Sequence, residues 1–272
     1  MDLKGKKERL ENVIQHYGAL LIAFSGGVDS TFLLSVARDI LKDGVVAVTG
    51  DSPIHPSSEL QNAVDMAQKL GVKHIIHPTN EMELPDFLQN HRNRCYICKK
   101  SLIKDLKRLA SEMGIRYIAH GANMDDLDDY RPGFDAAKEM GVVSPLIEAG
   151  LKKADIRMLS KEMGLETWEK PAMPCLATRL PYGTPITLKV LKMVGAAENA
   201  LLKLGFKTCR VRHHGDMARI EIAPADFNLV LRDDIREAII RGIKGVGYLY
   251  VSLDLEGYTQ GSMNRPIYKT GK

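Results

Sequence analysis

A chain of 272 residues can bury one substantial core or two modest ones, and 44% hydrophobic with 26% charged residues is the balance of a soluble globular protein. A net charge of +4, with no long block of like charge beyond Lys4 to Lys7, argues for anionic small molecules as partners and does not demand nucleic acid. No apolar stretch approaches the ~20 residues of a membrane span, no signal-peptide core opens the chain, and four cysteines are too sparse for a disulfide framework; a cytoplasmic location is expected.

Apolar spacing predicts a helix from Lys6 to Tyr17, then a buried strand through Leu20-Leu21-Ile22-Ala23-Phe24. The run breaks at Ser25-Gly26-Gly27-Val28-Asp29-Ser30 and resumes at helical spacing from Ser30 to Leu41. Val45 to Thr49 reads as a second buried strand and ends in Gly50-Asp51-Ser52-Pro53. A helix from Ser57 to Leu70 and a strand from Lys73 to His77 follow, then a helix from Lys99 to Met113. Further strands are expected at Tyr117 to Gly121 and Val142 to Ser144, and a helix at Lys153 to Met163. Strands alternating with helices predict a parallel α/β sheet whose ligand lies beyond the carboxyl ends of the strands. Pro171-Ala172-Met173-Pro174 interrupts the rhythm, which places a domain junction there, 1–170 before it and 171–272 after. The second part reads as a small α+β domain: a helix from Ile186 to Leu204, strands at Lys207 to His213 and Ala218 to Ala223 around Gly215-Asp216, a helix from Phe227 to Ile243 and a strand from Tyr248 to Leu253. A loosely ordered tail is expected from Thr259 to Lys272.

Paired glycines between a strand and a helix turn backbone N–H groups into a concave nest, and the helix adds its positive dipole end. Such a nest takes a phosphate. The Walker pattern is absent, since no Lys-Ser/Thr pair follows the glycines, and an ordinary strand-to-helix turn is the bland alternative. Cys95-Tyr96-Ile97-Cys98 places two thiols at i and i+3, on one face if the stretch is helical, near Arg92, Arg94 and Lys99. Two ligands are too few for structural zinc. Cys175, after the proline break, is a third candidate; three thiolates on a 4Fe-4S cluster would leave one iron open for a sulfide. A packed or redox pair, and a buried small hydrophobe for Cys175, are the alternatives, and Cys209 is read as a packed thiol. Asn123, Asp125, Asp126, Asp128 and Asp129 crowd the end of a strand, where carboxylates beside a triphosphate need Mg2+ between them; a solvated acidic turn is the bland alternative. Arg210 and Arg212 share a strand face by period two and suit a phosphate or carboxylate, with Glu198 either a metal ligand or solvated.

The blocks Ser25 to Ser30, Arg94 to Lys99, Gly121 to Asp126, Asp129 to Gly133, Pro174 to Arg179 with Pro181-Tyr182-Gly183, and Arg210 through Asp216 together resemble the LarE family of ATP-dependent sulfur transferases, whose loop is the pyrophosphate (PP) loop of enzymes that split ATP between its α and β phosphates. The resemblance covers essentially the whole chain. It implies an ATP and Mg2+ site at Ser25, Gly26, Gly27, Asp29, Ser30, Ser52, Gly121, Asn123, Asp125 and Arg131, with Asp125 on the metal. It implies substrate contacts at Arg179, Glu198, Arg210 and Arg212, and sulfur chemistry at Cys95, Cys98 and Cys175. The implied substrate is pyridinium-3,5-dicarboxylic acid mononucleotide, whose carboxylates become thiocarboxylates on the way to the nickel-pincer nucleotide of lactate racemase. Family members either sacrifice one cysteine, here Cys175, or hold a 4Fe-4S cluster on three; the extra Cys95 and Cys98 look like the cluster style. A homo-hexamer is implied, and the sulfur donor is left open. A tRNA-thiolating enzyme, an adenine-nucleotide sensor and an ammonia-using ligase are the competing readings.

Overall fold

The structure, a computed structural model, describes residues 2–127 and 131–265. It falls into two units, Met1–Phe87 with Arg92–Met173, and Leu88–His91 with Pro174–Lys272.

The first unit runs α1 (Leu3–Tyr17), β1 (Leu20–Ala23), α2 (Val28–Leu41), β2 (Val45–Asp51), α3 (Ser57–Lys69), β3 (Lys73–Pro78) and α4 (Pro85–Leu88), whose last residue already belongs to the second unit. It continues with α5 (Arg94–Glu112), β4 (Tyr117–His120), α6 (Pro132–Glu139), α7 (Pro145–Glu148) and α8 (Lys153–Glu162). The strands are parallel in the order β3-β2-β1-β4, with Leu20 opposite both Val45 and Tyr117. The near-continuous apolar runs of β1 and β2 follow from burial on both faces, while β3, at the edge of the sheet, is polar and largely uncovered. Leu20, Ile22, Val45 and Ala47 pack with residues of α1, α2, α3 and α8, while Leu21, Val46 and Val48 pack with Ile103 and Leu106 of α5 and Ala137 of α6.

The expected strand at Val142 to Ser144 does not form. Only Val143 bridges Ala119, because Gly141 at φ +70 and Pro145 at the start of α7 bracket too short a stretch. The helix expected from Lys99 begins earlier, at Arg94, and so takes Cys95 and Cys98 into its opening turns.

The second unit holds α9 (Leu188–Lys203), capped by Thr187 accepting from Val190 N at 3.2 Å, then β5 (Cys209–His214), β6 (Met217–Ile222), α10 (Phe227–Val230), α11 (Asp233–Gly245) and β7 (Tyr250–Leu253). β5 and β6 form an antiparallel hairpin and β7 adds parallel to β6. Leu201, Val211, Ile220, Ile239 and Ile243 meet in its core. The single helix expected from Phe227 to Ile243 is two, because Arg232 is extended (φ −68, ψ 129) and Asp233 and Asp234 start a new N-terminal turn. Asn90, fully buried at φ +57, donates to the carbonyls of Pro181 and Thr184 at 2.8 Å each and accepts from Gly183 N at 3.0 Å.

His120 closes β4, buried against Phe134, with Nε2 2.9 Å from Ser144 Oγ. Burial, with the charge of Lys99 second, pulls its pKa from 6.5 down to about 3. The folded protein thus keeps the neutral ring while the unfolded chain protonates near 6.5, so this stability is complete above pH 6.5 and is lost as the pH falls toward 3. Thermal melts of His120→Gln should show a flatter acid decline across that window, with His55 and His74, which burial shifts the same way, keeping a residual slope.

Candidate functional site

β1 delivers the chain into Ser25 to Ser30, and α2 departs from Val28. Gly26 sits at φ +65, and a Cβ there would lie 3.0 Å from Ala63 Cα in α3, so only glycine lets the loop lie against that helix. α2 begins from Gly27 with no side-chain cap, which leaves its first-turn amides to a ligand. Ser30 Oγ donates to Gly27 O at 3.2 Å, and so receives from Ser25 Oγ at 3.1 Å and Ser25 N at 3.3 Å; Gly27 N donates to Ser25 Oγ at 3.4 Å. These hydroxyls fix the shape of the cradle. Gly121, just past β4, closes it: a Cβ there would lie 2.9 Å from Ser30 N and 3.1 Å from Asp29 C. Gly121→Ala should therefore push the first turn of α2 and weaken ATP binding about tenfold or more by calorimetry, with the far-ultraviolet circular dichroism unchanged.

Asp29, on the first turn of α2, is bonded by Lys153 Nζ and lies 3.4 Å from Asn123 Nδ2. Burial raises its pKa against the opposing pull of Lys153. The loop after β4 is tied by Asn123 N to Asp126 Oδ2 at 2.9 Å, by Asp125 N to Asn123 Oδ1 at 3.0 Å, and by Lys153 N to Asp125 Oδ2 at 2.8 Å. Arg131 pairs with Asp126 at 2.7 Å. Asp128 and Asp129 lie outside the described residues, as does Tyr130. Ser52, at the end of β2, accepts from Ile54 N at 3.1 Å and hydrogen-bonds Glu81. Lys170 holds the loop from the other side, 3.2 Å from Gly26 O and 2.9 Å from Glu59. Among the described residues of each unit no group of three or more His, Cys, Asp or Glu gathers as a metal cage. Mg2+ needs none, since it binds one or two carboxylates together with substrate phosphates, and Asp29 and Asp125 fit that pattern. Neither Lys153 nor Lys170 carried a sequence signal, because each reaches the loop only through the fold.

In α5 the half-buried Cys95 and Cys98 occupy the i and i+3 positions, on one helix face. In the second unit, half-buried Cys175 precedes a 3-10 turn, Leu176–Arg179. Arg179 has no exposed surface; it donates to Pro174 O at 2.7 Å and Cys175 O at 3.1 Å and forks onto Glu198 at 2.8 and 2.9 Å. Glu198, expected to bind metal or lie in solvent, is instead buried and also accepts from Val211 N at 3.0 Å. Arg210 and Arg212 are buried as well. Arg210 lies over the Tyr258 ring at 5.1 Å and donates to Cys209 O at 2.6 Å; Arg212 pairs with Glu221 at 2.5 Å, while its buried Nε has no hydrogen-bond partner. Arg219, directly opposite Arg212 and 3.2 Å from Glu221, joins this cluster and was missed by the sequence reading. Cys209 is a packed thiol, pushed up to about 12 by burial.

A parallel sheet whose first strand turns through Ser-Gly-Gly-Val-Asp-Ser into an uncapped helix is a PP-loop ATP-using domain. The Asparagine synthase family model matches residues 15–100, which contain that loop. Over 97% of its length the chain is 44% identical to an uncharacterised Synechocystis protein, covering 99% of it, and over 98% it is 37% identical to the pyridinium-3,5-bisthiocarboxylic acid mononucleotide synthase of Lactiplantibacillus plantarum, covering 96%. A glutamine-hydrolysing GMP synthase of Aeropyrum pernix is 26% identical over 70% of the chain and is covered over 41% of its own length. The chain belongs to the LarE family, in which that Lactiplantibacillus synthase stands.

Proposed function

We propose that this protein is an ATP-dependent sulfur transferase that adenylates the carboxylates of pyridinium-3,5-dicarboxylic acid mononucleotide and converts them to thiocarboxylates, a step toward a nickel-pincer nucleotide. The observation that carries the reading is the uncapped cradle at Gly26 and Gly27, beside Asp29, in a chain that aligns end to end with the named synthase. The cradle binds the phosphates of ATP, and Asp29 and Asp125 would hold the Mg2+ that offsets their charge. A substrate carboxylate oxygen attacks the α-phosphorus, pyrophosphate leaves, and an acyl-adenylate forms. Sulfide, or the Cys175 thiolate, then attacks the carbonyl carbon and the acyl C–O bond breaks with AMP as leaving group, which a free carboxylate cannot offer at any useful rate. On the thiolate route the resulting thioester loses its Cβ–S bond, leaving thiocarboxylate and dehydroalanine. Residues 1–170 do the adenylation; 171–272 hold the substrate, with Arg210 and Arg212 on its phosphate and Arg179 positioning the Cys175 loop through its carbonyls. By the family resemblance Cys95, Cys98 and Cys175 would hold a 4Fe-4S cluster, which when bound would supply an open iron for sulfide. The family resemblance supports a homo-oligomer, a hexamer.

Incubation with ATP, Mg2+ and the dicarboxylate nucleotide should yield AMP, pyrophosphate and a product in which sulfur replaces carboxylate oxygen by mass spectrometry. Pyrophosphate release that depends on tRNA or on ammonia would overturn the assignment. Anaerobic protein should contain iron and acid-labile sulfide; without them, and with Cys175 desulfurised after one turnover, the sacrificial route replaces the cluster.

A further inference from the structure

Three cations stand around the cradle, and their partners separate their tasks. Lys170 is held between Glu59 and Gly26 O, its side chain only 18% exposed. Arg157 commits its guanidinium to the carbonyls of Trp168 and Lys170. Lys153 is different. Its side chain is 34% exposed, and its partner is Asp29, the acidic residue of the loop itself. Its backbone N–H is pinned by Asp125 at 2.8 Å, so the pivot is fixed while the four-carbon stem stays free to turn. An ammonium on Asp29, in the first turn of α2, is within one side-chain swing of any phosphate seated on that turn.

We infer that Lys153 is a catalytic residue: it neutralises Asp29 before ATP binds, then moves onto the β- and γ-phosphates, where it balances the charge that collects on the departing pyrophosphate. The exchange leaves the Asp29 carboxylate for the cation that accompanies ATP. One lysine thereby couples the arrival of the polyphosphate to the unmasking of the loop acid. The inference rests on the nucleotide reading of the cradle and names a residue which that reading does not require.

Calorimetry with Mg2+ and three probes, α,β-methylene-ATP, inorganic pyrophosphate and AMP, tests it on the wild type, Lys153→Met and Lys153→Arg. Loss of a charged hydrogen bond should weaken the analogue and pyrophosphate about tenfold to a hundredfold in Lys153→Met, with AMP held within about twofold and Lys153→Arg recovering most of the loss. Added salt should narrow the difference, because Lys153 is partly exposed and its charge is partly screened. Unchanged pyrophosphate affinity in Lys153→Met overturns the inference. So does an equal loss for AMP and pyrophosphate, which would make Lys153 a structural tie. A wild type that binds none of the three probes overturns the nucleotide reading instead.

Discussion

Cys175→Ala is expected to stop sulfur transfer while leaving adenylation in place. The loop that carries Cys175 is held by its backbone: Arg179 grips the carbonyls of Pro174 and Cys175, and Thr178 N and Oγ1 reach the Cys175 carbonyl at 3.0 and 2.8 Å. None of these bonds uses the thiol, so removing sulfur leaves the loop where it was. Thiocarboxylate formation should fall by about a thousandfold or more, while substrate-dependent exchange of pyrophosphate into ATP stays within about threefold. Cys95→Ala then separates the two sulfur routes. With a cluster it loses transfer as fully as Cys175→Ala; with a sacrificed Cys175 it retains a single turnover, read as one thiocarboxylate per protein.

The cradle was legible because its chemistry is local. Ser25 to Ser30 sits between two runs of apolar residues, and the positive φ of Gly26 and the uncapped start of α2 arise within a few positions, although the close approach of Gly26 to Ala63 of α3 does not. The buried strands were legible for a similar reason, since β1 and β2 are covered on both faces and read as unbroken aliphatic runs. What escaped needed the folded chain. Pro85–Leu88 and Pro145–Glu148 are single turns with no period to detect. Lys153, at the start of a helix, reads like any solvated lysine, yet its partner Asp29 is 124 positions away. Glu198 on α9 reads as a metal ligand or a solvated acid because nothing in the sequence announces that Arg179, 19 residues earlier, is turned inward to meet it.

That pair sets the second large effect. In Glu198→Ala the Arg179 guanidinium, with no exposed surface, keeps its charge and loses both carboxylate contacts, and Val211 N loses its acceptor. Breaking a buried pair from one side costs about 3–5 kcal/mol, which for a unit of this size lowers Tm by about 15 °C or more. Glu198→Gln preserves the shape and part of the hydrogen bonding, and should lie between the two in urea or thermal unfolding. A Glu198→Ala protein as stable as the wild type would mean that solvent reaches Arg179 and that the Cys175 loop is held by something else.

Leu88 to His91 belong with residues from 174 onward, so the polypeptide leaves the first unit, returns to it and leaves again. A ribosome that has made everything up to Met173 has therefore produced a stretch whose companions, Pro181, Gly183 and Thr184, have yet to be translated. Fragments severed at that point should be insoluble alone and recoverable only when both pieces are expressed together, because Asn90 is a stitch that a cut between the two units leaves open.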